Sequence, residues 1–132
     1  MLEPDKVPKR VGGDGASVTD RPTTKYVGVR TQAGVTVARE DDRGAIHHLA
    51  ARTDLKNHSQ SGFEWGYGGS GPAQLSLAIL ADALGAEKAL ACYQKFKAQV
   101  VAKFDREHWE LSRDEVLAWY RTLLSEPEQQ PE

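Results

Sequence analysis

The stretch Pro72-Ala73-Gln74-Leu75-Ser76-Leu77-Ala78-Ile79-Leu80-Ala81-Asp82-Ala83-Leu84-Gly85 decides the fold. Pro72 sits where a first helical residue should, and Gly85 supplies a C-terminal stop. Between them apolar residues run nearly all the way round the helix, interrupted only by Gln74, Ser76 and Asp82. A helix that is apolar on every side must be enclosed, so this one is expected to be the buried centre of the molecule.

Downstream, a second helix is expected from about Ala86 to Phe104. Ala89, Cys92, Tyr93, Phe96, Val100 and Phe104 lie on one stripe, with Lys88, Lys95 and Lys103 along its edge. Ser112 followed by Glu115 is a capping box, which opens a third helix through Leu124 carrying Val116, Leu117, Trp119, Tyr120 and Leu123. Upstream, Lys25 to Arg30 and Val35 to Arg39 alternate around the turn residues Thr31 to Gly34, which predicts a β-hairpin. A lone hairpin is marginal in water, and Ile46 to Ala51 is the candidate third strand. The expectation is an α+β fold, a small antiparallel hairpin or three-stranded sheet packed on three helices.

The 132 residues suit one domain, expected over 25–124. Residues 1–24, with Pro4, Pro8, Pro22 and the Gly12-Gly13-Asp14-Gly15 cluster, read as a mobile leader, and 125–132 as a disordered tail. A net charge of -2 provides no global field for a polyanion. Apolar runs fall short of the ~20 residues that a membrane helix needs, and the N-terminus lacks an apolar signal core. The single cysteine, Cys92, makes no intramolecular disulfide and reads as a small buried hydrophobe. Together these features predict a cytoplasmic protein without membrane partners.

The least generic segment is His58-Ser59-Gln60-Ser61-Gly62-Phe63-Glu64-Trp65-Gly66-Tyr67-Gly68-Gly69-Ser70-Gly71-Pro72-Ala73-Gln74. Preceded by the strand Tyr26-x-Gly28-x-Arg30 and followed by the apolar helix, it resembles the signature of a family of short proteins of unknown function, found in bacterial, plasmid and phage genomes. The resemblance extends from about Lys25 to Trp119. It departs at Gln60-Ser61, where Pro-Thr or similar is expected, and at Ser76, where Ala is usual. The resemblance supplies a genomic habitat and no activity; that habitat implies an accessory or counter-defence role.

Read from the residues, the glycines of 66–71 free the backbone for positive φ and deliver exposed N–H groups onto a helix N-terminus, which favours an anion. Ser70 and Gln74 would add hydrogen bonds, Trp65 or Tyr67 would stack on a base, and Glu64 or His58 would take a ribose hydroxyl or a proton. The spacing matches neither a Walker loop nor a dinucleotide fingerprint. The competing reading is structural: Phe63 and Trp65 fill the core, and Glu64 and Ser70 satisfy local backbone donors.

The function expected is therefore that of a non-catalytic binding protein engaging a host protein or a nucleotide-like ligand through His58, Ser59, Glu64, Trp65, Tyr67, Gly68, Gly69, Ser70 and Gln74. A small enzyme acting at the same loop, with Glu64 or His58 as base, is one alternative. A helix-turn-helix-like DNA-binding protein reading with Lys88, Lys95 and Lys103 is the other. Trp109, Trp119 and Tyr120 are further candidates for docking a protein. His47 and His48, adjacent on a strand, face opposite ways, and His58 and His108 have no partners at ligand spacing. Hence no metal and no cofactor is expected.

Overall fold

The computed structural model describes residues 23–59 and 62–126. Most of the expected leader and tail, and Gln60-Ser61, lie outside the described residues. The elements follow the order β1 (Lys25–Thr31), β2 (Gly34–Glu40), β3 (Ile46–His48), α1 (Ser70–Leu84), α2 (Ala86–Gln99), β4 (His108–Ser112) and α3 (Arg113–Ser125). The fold is α+β, with a four-stranded antiparallel sheet in the order β3-β2-β1-β4.

β1 lies inside the sheet, with Tyr26 opposite Arg39 and Leu111, Gly28 opposite Val37 and Trp109, and Arg30 opposite Val35. Because side chains alternate across a strand, Tyr26, Gly28 and Arg30 share the face turned to the helices. Tyr26 and Val37 are buried there, as is Trp109 from β4. The opposite face carries Lys25, whose Nζ lies 3.3 Å from Glu110 Oε1 and 4.0 Å from Glu40 Oε1.

α1 is the enclosed central helix: Gly71 to Ala81 and Ala83 are all buried. It starts two residues earlier than Pro72, at Ser70, with Gly69 as N-cap. Pro72 thus occupies the first turn, where no intrahelical acceptor awaits its nitrogen. Buried Ser76 is satisfied within the helix, its Oγ donating to Pro72 O at 2.8 Å. Gly85, at φ 95°, ends α1 and starts α2.

Three expectations need correction. α2 stops at Gln99 rather than Phe104: the β-branched pair Val100-Val101 leaves α geometry, and Val101–Lys103 forms a 3₁₀ turn. This frees Val101 O to accept from Gly66 N at 3.1 Å, docking the turn onto the Gly-rich loop. The third strand shrinks to Ile46–His48. A strand not anticipated, β4, joins the sheet beside β1; its alternation rests on only Trp109 and Leu111, among His108, Glu110 and Ser112. Trp109 is accordingly a core residue, and Trp119 and Tyr120 are half-buried against the core. The capping box at Ser112 forms as expected, with Glu115 N donating to Ser112 Oγ at 3.0 Å and Ser112 N to Glu115 Oε1 at 2.8 Å.

The tightest point in the core is Gly28. A Cβ there would overlap Nε1 and Cε2 of the Trp109 indole and lie 2.7 Å from its Cζ2. Gly28→Ala is expected to cost about 3 kcal/mol in urea unfolding, the upper part of the overpacking range, because the indole is hemmed in. Trp109 Nε1 is buried without a hydrogen-bond partner. Trp109→Phe placed on Gly28→Ala therefore removes the nearest clashing atom without orphaning an acceptor, and recovers part of that loss.

Candidate functional site

The segment 62–74 is built on α1 outward. Gln74 is fully buried in the second turn of that helix, and both its amide oxygen and its amide nitrogen are engaged by backbone groups. Its Oε1 accepts from His58 N at 2.7 Å and Ser59 N at 3.2 Å, while Nε2 donates to Ala51 O at 2.6 Å. One side chain thus satisfies three backbone groups of the long connection after β3, groups that would otherwise be left unpaired in a partly buried loop. The His58 ring packs against Tyr93 of α2, with Nε2 and the phenol oxygen 2.5 Å apart. Ser59 Oγ donates to Gly62 O at 2.8 Å.

Glu64 turns to the sheet. Its carboxylate takes Nη2 of Arg30 at 2.7 Å and Nη1 at 3.3 Å, a two-pronged pair, while Arg30 Nε donates to Arg106 O at 2.9 Å. The guanidinium also lies over the Trp65 ring, 5.0 Å from its centroid. Trp65 is fully buried, donates from Nε1 to Arg106 O at 3.0 Å and meets Trp109 edge-on at 5.7 Å. Trp109 in turn stacks on Phe104 at 4.3 Å.

Of the glycines in 66–71, only Gly66 has positive φ, 87°. Two of the others serve close approach. A Cβ on Gly71 would meet Glu64 Cβ at 2.7 Å, and one on Gly69 would meet Cε2 of Tyr67 at 2.7 Å. The first turn of α1 is thereby pressed against the stem of Glu64, whose carboxylate is turned to Arg30. At the tip, Tyr67, Gly68 and Ser70 are exposed, and Ser70 opens α1 beyond an N-cap that offers no side-chain acceptor.

The residues singled out from sequence thus separate into two groups. Gln74, Trp65, Glu64, His58 and Ser59 hold the loop together; Tyr67, Gly68, Gly69 and Ser70 form its rim. Trp65 has no ring face free for a base, and Gln74 is fully buried with its amide oxygen and nitrogen both bonded to the backbone. Glu64 pairs with Arg30 and His58 with Tyr93, so the two make no acid–base pair with each other. The Arg30 guanidinium beside Glu64 holds its carboxyl below the usual carboxylate range, against a smaller opposing effect of desolvation. A carboxylate so stabilised is a weak base at neutral pH.

Arg30 and Arg106 belong to the assembly but were not among the candidate site residues. Arg30 was legible as the end of a Tyr-x-Gly-x-Arg face, whereas Arg106 contributes a carbonyl, which any residue type supplies. Elsewhere, Lys88, Lys95 and Lys103 are exposed, with Lys88 Nζ 5.6 Å above the Tyr120 ring. α1 is enclosed, so only the outer face of α2 would be open to a duplex. His47 Nε2 lies 2.8 Å from Asp41 Oδ2 and, with the N–H groups of Ala45 and Arg43, brings that carboxyl down to about 2. Among the described residues no three His, Cys, Asp or Glu side chains converge on a metal position. No helix among them is long and apolar enough to cross a membrane.

Over residues 26–122 the chain matches the family of unknown function DUF6166, and it belongs to that family. No curated protein and no solved structure matches it. The matched span runs from Tyr26 of the first strand into α3, so it includes the whole Arg30–Glu64–Trp65 assembly.

Two outcomes follow from these contacts. Gln74→Leu, close in volume but without hydrogen bonds, is expected to cost about 3 kcal/mol or more, since it strands two N–H groups and a carbonyl; thermal or urea melts measure this. For Glu64 the sign is that of a depressed carboxyl. Its contribution is fully present above the unfolded-state value of about 4.3 and is lost as pH falls through the lower folded value. Glu64→Gln should therefore be less stable than wild type at neutral pH, and the gap between the two melting curves should close in acid.

Proposed function

We propose that the protein is a non-catalytic, cytoplasmic binding protein carried by mobile genetic elements, and that it engages a host protein through the exposed rim Tyr67–Ser70. The observation that carries this reading is a division of labour within one short segment. Trp65, Glu64 and Gln74 are committed to the core and to ion pairing, while two residues beyond Trp65 the 44% exposed Tyr67 stands at the surface on a backbone held from both sides. A rigid aromatic on a fixed loop loses little entropy on contact, which is why tyrosines anchor protein interfaces. The mobile-element setting comes from the resemblance of the His58–Gln74 signature to proteins of bacterial, plasmid and phage genomes.

A nucleotide-like ligand is the weaker partner, because stacking would fall to Tyr67 alone. A hydrolytic or transfer reaction at this loop would find both candidate bases already engaged, Glu64 by Arg30 and His58 by Tyr93.

The test is affinity purification from a bacterial host after mild cross-linking, with wild type and Tyr67→Ala compared. A host protein recovered with wild type and lost with Tyr67→Ala, at unchanged melting temperature, supports the reading. Recovery of that protein by both variants overturns the role of the rim. Native mass spectrometry adds the other arm: an adduct of small-molecule mass that disappears in Tyr67→Ala would replace the host protein with a nucleotide-like ligand. Trp65→Ala is unsuited as a binding probe, because emptying its buried site should itself cost about 3–5 kcal/mol.

A further inference from the structure

Away from the loop, α2 has a second face that the core does not use. Ala89, Cys92, Tyr93 and Phe96 point inward, and on the outer side Leu90 is 41% exposed, with Ala91 and Gln94 beside it. Where α2 passes α3, the residues Leu90, Ala91, Cys92, Gln94, Lys95 and Leu123 line an open groove of about 400 Å³. Leu124, next along α3, is 66% exposed. Large apolar side chains exposed together at the junction of two helices mark a docking surface more often than chance exposure does.

The charges around this groove choose among occupants. Its lining includes one ionised residue, Lys95, and no acid. Lys88, about two turns before it on α2, projects over Tyr120 of α3. Arg121, three residues before Leu124, is exposed on α3. Two acids stand at the ends of this surface, Glu87 one turn before Leu90 on α2 and exposed Glu126 three residues after Leu123, so the three cations Lys88, Lys95 and Arg121 outnumber them. A second copy of the chain would bring the same lysines against each other, and like charges across an interface are a device for rejecting a partner. A nucleic acid would find cations but would leave Leu90, Leu123 and Leu124 uncovered.

We infer that the α2–α3 groove is a docking site for an amphipathic acidic helix of a partner protein, with leucine-like side chains entering between Leu90 and Leu123 and carboxylates meeting Lys88, Lys95 and Arg121. This is the helix-in-groove mode, in which apolar anchors spaced i, i+3/i+4 and i+7 supply affinity and flanking charges set register. It is independent of the Tyr67 rim.

The probe is a fluorescently labelled amphipathic peptide of about 15 residues, long enough for four helical turns, with leucines on one face and glutamates beside them. A twin peptide carries lysine in place of glutamate. Saturable anisotropy change is expected with the acidic peptide and at least about tenfold weaker binding with its twin, a difference of about 1.4 kcal/mol. Leu90→Asp should abolish binding to the acidic peptide; Lys95→Glu should weaken it and strengthen binding of the lysine twin. Tyr67→Ala should leave both unchanged. Leu90 and Lys95 are exposed, so melts of these variants should stay near wild type.

Equal binding of the two peptides, or no saturable binding of the acidic one, overturns the inference. So does a dimer in sedimentation that Leu90→Asp dissociates, since a second copy would then be the occupant. Acidic-peptide binding that appears only after removal of residues 127–132 would assign the groove to the chain's own C-terminal segment. Duplex DNA displacing the peptide from wild type, but not from Lys95→Glu, would assign the basic rim to nucleic acid instead.

Discussion

The absence of a side chain at Gly28 is the constraint on which the rest of the structure depends. That space is occupied by the Trp109 indole from the neighbouring strand β4. Around it gather Trp65 from the loop before α1 and Phe104 from the turn after α2, so the loop and the stretch from Phe104 into β4 share one aromatic cluster. Aromatic pairs of this kind add about 1 kcal/mol beyond their buried area, but their larger effect is geometric: edge-on and stacked neighbours leave each ring one position. Tyr26 and Arg30 flank the gap on the same face. Tyr26 reaches the far end of α1 through Asp82, its phenol donating to the carboxylate at 2.8 Å, and Arg30 reaches the near end through Glu64. Arg39 adds a second partner to Asp82 at 3.5 Å. A single strand face therefore sets the height and the angle of the central helix.

How much of this was readable in the residues depends on where each signal resides. The enclosed helix was legible because its apolar residues leave no polar stripe, and the hairpin and the capping box because turn and cap chemistry are local. β4 was not, because two inward residues in five make a weak alternation and its neighbours are charged. The end of α2 was obscured in the same way: the apolar spacing continues through Val100 and Phe104, while the backbone turns at Val100 to present a carbonyl to Gly66. Backbone acceptors leave no mark on residue type.

For the site the limit was different in kind. The block from His58 to Gln74 stood out by composition, yet composition does not say whether an aromatic or an amide faces inward. Gln74 looked like a ligand-binding amide and serves as an internal bracket. Trp65 looked like a stacking platform and is a core residue. The pairing of Arg30 with Glu64, which decides the protonation of the only acid in the block, joins a strand to a loop across a gap in sequence that periodicity cannot bridge.

The position of β4 has a topological consequence. It pairs with β1 from Lys25 opposite Ser112 to Val29 opposite His108, and Arg113 N closes the end of the ladder on Thr24 O at 2.7 Å. The first and last strands of the domain are therefore neighbours, and the sheet cannot be completed until nearly all of the intervening chain has been laid down. Pairings of such long sequence separation are the slow part of assembling a small domain, because loop closure comes before the contacts that reward it. The helical pair joined at Gly85 needs no such wait. During synthesis it would be finished first, holding exposed apolar surface until β4 emerges, which makes the last strand the timing element of the fold.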